Sequence, residues 1–148
     1  MKERPSAVLF ACNLNSVRSP LAEALMKLTY GYDIYVDSCG VEPKPDLDPF
    51  VVEVIEEVGG DLSHHRPKSF DQLNDGSFDV IITLTPEAHH HAMDRAHGKA
   101  VEVVYWPMPD PTVATGSREQ ILEAYRQTRD HLLRLIKQRF GDPLSLGG

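Results

Sequence analysis

Short apolar runs alternate along this chain with longer segments in which apolar residues recur every three or four positions. Ala7–Ala11 (AVLFA), Ile34–Ser38, Phe78–Leu84 and Val101–Tyr105 have the length and composition of strands. Pro20–Thr29, with Leu21, Leu25 and Leu28 on one face, reads as a helix, as do Pro49–Val58, Pro86–Ala96 and a long terminal segment from Arg118 to Phe140. The three internal helices each open on a cap residue followed by proline (Ser19-Pro20, Asp48-Pro49 and Thr85-Pro86), and Ser117 with Gln120 spells a capping box for the fourth. In that last helix Ile121, Tyr125, Thr128, Leu132, Leu135, Ile136 and Phe140 share one face, which predicts that it lies across the sheet.

This alternation predicts an α/β fold: a single domain over residues 1–148, with a four-stranded parallel sheet covered by helices on both faces. Ligands then bind beyond the carboxyl ends of the strands, where the strand order reverses. Cys12, Cys39, Thr85 and Trp106 each follow a predicted strand and therefore belong to that rim. There is no internal repeat or linker, and residues 141–148 read as a loose tail.

Composition narrows the function classes. A chain of 148 residues with 41% hydrophobic and 25% charged residues can bury a core without disulfides or structural metals. No apolar run reaches membrane-spanning length, and the start MKERPSAVLF lacks the apolar core of a secretion signal, so the expected compartment is the cytoplasm, with no membrane partner. The two cysteines, Cys12 and Cys39, form neither a zinc pattern nor a disulfide framework. A formal net charge of −7 disfavours nucleic acid as a partner.

The candidate chemistry lies in Cys12-Asn13-Leu14-Asn15-Ser16-Val17-Arg18-Ser19-Pro20, the link between the first strand and the first helix. Backbone N–H groups at such a junction have no helical partner, and the positive end of the helix dipole lies among them, so the loop is suited to an oxyanion. The same field favours a thiolate at the loop mouth, and Arg18 adds a planar fork of donors able to hold two oxygens at once. Taken singly, Cys12 also reads as an inert buried residue and Arg18 as a surface charge. The combination of strand, C-x5-R-S-P and amphipathic helix favours the pocket.

This segment resembles the phosphate-binding loop of the low-molecular-weight protein tyrosine phosphatase family, C-x-x-N-x-x-R-S, with Cys12, Asn15, Arg18 and Ser19 filling the four positions. Asp110-Pro111, just before the last helix, matches the general-acid Asp-Pro of that family. Ser38-x-Gly40 and Ser63-His64-His65-Arg66 are further landmarks, so the likeness runs from about Ala7 to Phe140. It implies a phosphomonoester hydrolase in which Cys12 is the nucleophile, Arg18 and the loop from Asn13 through Leu14, Asn15, Ser16 and Val17 bind phosphate, Ser19 hydrogen-bonds the thiolate, and Asp110 is the acid. It implies no metal and no cofactor, and its partner is a phosphorylated substrate, either a phosphoprotein or a small phosphomonoester. Arg18→Lys is expected to be crippling. Asn15 is the loop residue best able to take a left-handed conformation, since the loop has no glycine. Leu14 stands where the family often has a small residue. Asp110-Pro111 is equally a turn former within a proline-rich stretch.

The chain departs from the family where a phenyl ring would be held. Asp110-Pro111 is followed by Thr112-Val113 rather than tyrosine, and Val41-Glu42-Pro43-Lys44-Pro45 carries no aromatic residue. A phenyl ring loses stacking worth about 0.5–1.5 kcal/mol per lost partner, unless Trp106 or Phe50 leaves the core to supply it. The same fold serves arsenate reductases, which Tyr105-Trp106-Pro107 and the short loop before Asp48-Pro49 resemble. The two further cysteines of their thioredoxin-coupled members are missing here, where the chain has Thr85 and His89-His90-His91. Cys39 is either a buried thiol or a redox guard for Cys12. Arsenate reduction and phosphate binding with weak turnover therefore stand as alternatives. The three consecutive histidines point in different directions on a helix, cannot share a metal, and read as a solvated face. His64, His65, Arg66 and Lys68 form a basic patch that either draws anions to the site or simply covers the surface.

Overall fold

The computed structural model describes residues 5–31, 33–73 and 77–141. Most of the predicted loose tail, residues 142–148, lies outside the described residues. The elements alternate as expected: β1 (Ala7–Cys12), α1 (Arg18–Tyr30), β2 (Tyr35–Gly40), α2 (Pro49–Glu56), β3 (Val80–Thr83), α3 (Pro86–Ala96), β4 (Glu102–Tyr105) and α4 (Arg118–Phe140). Short 3-10 turns occupy Phe70–Gln72 and Pro111–Val113. The strands form one parallel sheet in the order β2-β1-β3-β4.

β1 is central and every residue of it is buried, so its two sets of alternating side chains feed two cores. Val8, Phe10 and Cys12 face α1, α2 and α4, while Ala7, Leu9 and Ala11 face Ala88 and Ala92 of α3. From β1 the chain passes to β2 on one side and then crosses to β3 on the other, which leaves the carboxyl end of β1 at the switch point. Cys12 is the last residue of that strand.

Three of the four predicted caps form. Asp48 accepts from the Phe50 N–H, Thr85 accepts from the Ala88 N–H, and Ser117 and Gln120 complete their capping box. The fourth is corrected: α1 starts at Arg18, its cap position is Val17 with no side-chain bond, and Ser19 is already inside the first turn. β2 runs on to Gly40, so Cys39 lies within the strand rather than after it. As expected, α4 lies over the sheet: Leu132 and Ile136 share one core with Phe10, Val80 and Ile82, Arg139 bonds Glu102 of β4, and the helix packs beside α1 and α2 on that face. Its buried face is Leu122, Tyr125, Thr128, Arg129, Leu132, Ile136 and Phe140, close to the predicted stripe but with Leu122 and Arg129 in place of Ile121 and Leu135. Arg129 sits in that face because its guanidinium donates to the Val54 carbonyl at 2.9 Å and to Glu57 at 2.8 Å, which satisfies a charge that would otherwise be buried alone.

Candidate active site

The loop between β1 and α1 is held from outside through its carbonyls. Val41 N–H donates to Cys12 O, Glu42 to Asn13 O, Lys44 to Leu14 O and Asp48 to Ser16 O, at 2.8–3.2 Å. With the carbonyls turned out toward this segment, the loop presents its amides inward. The N–H groups of Leu14, Ser16, Val17 and Arg18 have no acceptor among the described residues, which makes the loop a concave set of donors at a helix N-terminus. Gly40 permits the close approach. A Cβ there would stand 2.7 Å from Asn15 N and 2.8 Å from Asn13 O.

Asn15 is the keystone of the loop. It is fully buried and takes φ 48°, alone among the described non-glycine residues in having a positive φ. Its amide nitrogen donates to Ser19 Oγ (2.8 Å) and Ser38 Oγ (3.0 Å), and its carbonyl oxygen accepts from the Lys68 N–H (3.0 Å). Ser38 in turn donates to Glu23 at 2.5 Å. The Asn15 backbone N–H points at Cys12 Sγ (3.2 Å), and Ser19 Oγ lies 2.9 Å from the same sulfur. Because Asn15 donates to Ser19 Oγ, the single hydroxyl proton of Ser19 is free to point to the sulfur or, at 3.3 Å, to Cys39 O. This use of Ser19 explains why it does not cap α1.

Cys12, Leu14, Ser16, Val17 and Arg18 enclose a recess of about 40 Å³, whose rim is formed by Lys44, Asp48, Asp110 and Thr112. That is room for about three water molecules, the scale of a tetrahedral oxyanion. The Arg18 guanidinium donates to the Met108 carbonyl at 2.9 Å, which ties the loop to the segment carrying Asp110. Asp110 Oδ1 accepts from both the N–H (2.9 Å) and the hydroxyl (2.7 Å) of Thr112. Burial pushes the Asp110 carboxyl up, but the Thr112 hydrogen bonds and the charges of Arg18 and Lys44 outweigh it and hold it below the usual carboxylate range. The structure thus gathers Cys12, Asn15, Ser19, Arg18 and Asp110 at one place.

No aromatic ring lines the recess. Phe50 packs on Tyr125 and Trp106 on Phe10, so both serve the core. Cys39 is buried on the face of β2 turned toward α3, whereas Cys12 faces α1 and α2. A disulfide between side chains on opposite faces of a sheet cannot form without dismantling it, so the redox-guard expectation is not supported. Burial, and then the negative charges of Cys12 and Asp37, push the Cys39 thiol up.

The histidines are only partly a solvated face. His89 bonds Thr83 (2.9 Å) and stacks on Tyr105, His91 packs on Phe70, and only His90 is fully exposed, paired with Asp94. Among the described residues no group of three acidic, histidine or cysteine side chains could hold a metal. The basic patch borders a larger cleft of about 430 Å³, in which Lys27, Arg66 and Lys68 are matched by Glu23, Asp37 and Asp61. His65 leaves the surface: its side chain is 5% exposed and Nδ1 lies 3.7 Å from Glu23, while burial pushes the ring toward its neutral form against the pull of Glu23 and of the Asn15 backbone. Ser38 and His65, landmarks of the resemblance, acquire a role here as partners of Glu23, while Glu23 and Met108 are the members of this network that the sequence reading missed.

Residues 7–141 match the model of a protein family described as low molecular weight phosphotyrosine protein phosphatase. An arsenate reductase of Halalkalibacterium halodurans is 31% identical over 130 residues, spanning 88% of this chain and 91% of that protein. A protein-arginine-phosphatase of Bacillus subtilis is 29% identical over 143 residues, spanning 88% of this chain and 92% of that protein. The crystal structure of a low molecular weight protein tyrosine phosphatase from T. tengcongensis superposes with a TM-score of 0.71 at 26% identity, covering 89% of this chain and 95% of that one.

Proposed function

From the premise that this chain belongs to the low molecular weight phosphotyrosine protein phosphatase family, we propose that it hydrolyses phosphomonoesters through a phosphocysteine, without a metal. The observation that carries this reading is the sulfur of Cys12, held by Ser19 Oγ and the Asn15 N–H at the floor of a recess ringed by unpartnered amides.

In this mechanism Cys12 Sγ attacks phosphorus in line, forming a P–S bond as the P–O bond to the leaving group breaks. The loop amides and Arg18 hold the three equatorial oxygens, where negative charge is spread in the transition state. Asp110 gives its proton to the departing oxygen and, as a carboxylate, then takes one from the water that cleaves the P–S bond, returning the thiolate and releasing phosphate. Its depressed carboxyl is ionised in the free protein at neutral pH. A phosphate dianion in the recess brings like charge beside it and pushes it up, so turnover is best at mildly acidic pH.

The rim of Lys44, Asp48, Asp110 and Thr112 favours a phosphorylated side chain whose leaving end is polar. Phosphoarginine, suggested by the name of the Bacillus subtilis relative, is therefore tested beside phosphotyrosine; with it a P–N bond breaks in place of P–O, and the proton from Asp110 goes to the departing guanidino nitrogen. The name of the Halalkalibacterium halodurans relative supports arsenate as a second substrate. With Cys39 on the far face of the sheet, electrons for that reaction must come from an external thiol. The proposed compartment is the cytoplasm, whose reducing state keeps Cys12 free.

The test is hydrolysis of an aryl phosphate at mildly acidic pH with EDTA present. Wild type turns over and is inhibited by vanadate, Cys12→Ser falls to background, and rapid quench finds wild type carrying one phosphoryl group on Cys12. Turnover that survives in Cys12→Ser overturns the mechanism. Arsenate reduction supported by an external thiol, without phosphate hydrolysis, transfers the loop to redox chemistry.

A further inference from the structure

The catalytic recess is too small to hold more than the phosphoryl group, so the rest of any substrate lies outside it. Next to it, sharing Asp110 as a common wall, runs an open groove of about 340 Å³ between the Pro111–Val113 turn and α4. Its walls are largely apolar, with Met108, Pro111, Val113 and Ala124 along its length and Gln127 and His131 at its edge. Val113 is 76% exposed at the lip, a β-branched apolar residue with no packing duty there. Apart from Asp110 and His131, no wall residue is ionisable.

We propose that this groove seats the polypeptide flanking the phosphorylated residue of a protein substrate and selects an uncharged apolar side chain there. The proposal rests on the phosphatase reading and adds to it a protein substrate rather than a small phosphomonoester. Continuity decides the occupant, because Asp110 is both part of the recess rim and a wall of the groove, so a chain whose phosphate is in the recess enters the groove when it leaves past Asp110. The composition of the walls decides the preference. An apolar side chain is drawn from water against Pro111, Val113 and Ala124, while a carboxylate would meet no lysine or arginine among these walls and would stand beside the Asp110 charge.

The test uses the full chain and two sets of nine-residue peptides, one phosphotyrosine and one phosphoarginine. Each set carries Leu, Ser or Asp singly at the three positions on either side of the phosphorylated residue. Wild-type kcat/KM is measured beside that for an aryl phosphate, and binding to Cys12→Ser is followed by fluorescence anisotropy, which needs no turnover. In at least one set, Leu at one flanking position is expected to exceed Ser by about fivefold in both readouts, with Asp lowest. Val113→Ser and Ala124→Glu should erase that preference, lowering kcat/KM for the Leu peptide more than for the aryl phosphate, with melting temperatures showing both variants folded. Aryl phosphate turnover with indifference to every flanking residue overturns the groove and leaves the phosphatase intact. Flank-selective binding to Cys12→Ser with no hydrolysis of anything by wild type keeps the groove and overturns the phosphatase.

Discussion

The two halves of the candidate site are built in opposite ways. In the loop between β1 and α1 Cys12, Asn15, Ser16 and Ser19 are all buried, the Asn15 side chain makes three hydrogen bonds, and four loop carbonyls are pinned by the 41–48 segment. In the segment after β4, Asp110 is half-buried and fastened by Thr112 alone through one oxygen, and Val113 stands in solvent. The hydrogen bond from Arg18 to Met108 O links the two. Under the proposed function the difference follows from the task. A tetrahedral anion has one shape, and a dense, pre-organised cradle would bind its transition state without reorganising. Leaving groups vary in size and polarity, and a lightly held surface segment can be altered without disturbing the cradle.

Substitutions that separate activity from stability sharpen this contrast. Asp110→Asn keeps an oxygen for the hydrogen bonds from Thr112 and removes the transferable proton together with the negative charge. It should lower kcat/KM for a poor leaving group by about 10²–10⁴-fold, and far less for an activated aryl phosphate, with stability in urea falling only slightly, by less than about 1 kcal/mol. Asn15→Ala should do the reverse. It puts alanine in a left-handed conformation and strips buried partners from Ser19, Ser38 and the Lys68 N–H, so stability should fall by about 2–4 kcal/mol. Activity should fall by about 10²-fold on every leaving group alike, because the cradle rather than the proton is lost. Equal sensitivity of the two variants to the leaving group would break the comparison.

The same division governs what could be read in the chain. The loop was legible because its requirements are local. Strand, donor loop and helix N-terminus are consecutive, and Asn15 is the loop residue suited to the left-handed position it takes. The caps at Asp48, Thr85 and Ser117 were legible for the same reason. Ser19 was misread as a cap because its rival partners, a sulfur seven residues back and an amide four back, are brought to it only by the folded loop. The stripe of α4 gave its place over the sheet, but not its contacts with α1 and α2, because one apolar stripe does not say which neighbours share it. The Glu23, Ser38 and His65 network joins three distant stretches that no spacing connects.

Thr112→Val tests the lightest contact in the comparison. The substitution keeps the shape and the backbone N–H bond to Asp110, and removes only the 2.7 Å hydroxyl bond. That bond stabilises the ionised carboxylate, so its loss should move the Asp110 carboxyl back up toward its ordinary value. The sign for activity follows: more of the acid is protonated at a given pH above its pKa. The limb of the pH profile on which activity falls as pH rises should move to higher pH, and near neutrality kcat/KM for a poor leaving group should rise, by less than about tenfold. The sign for stability is opposite. A depressed carboxyl contributes stability that is present above its unfolded pKa and lost as pH falls through the folded value, and the variant gives up part of it. Thr112 is exposed, so that loss should stay within about 0.5 kcal/mol at pH 7. A downward shift of the limb, or the same gain on an activated aryl phosphate, would mean that Thr112 acts through the shape of the loop, and the lightly held half of the site would then be as pre-organised as the cradle.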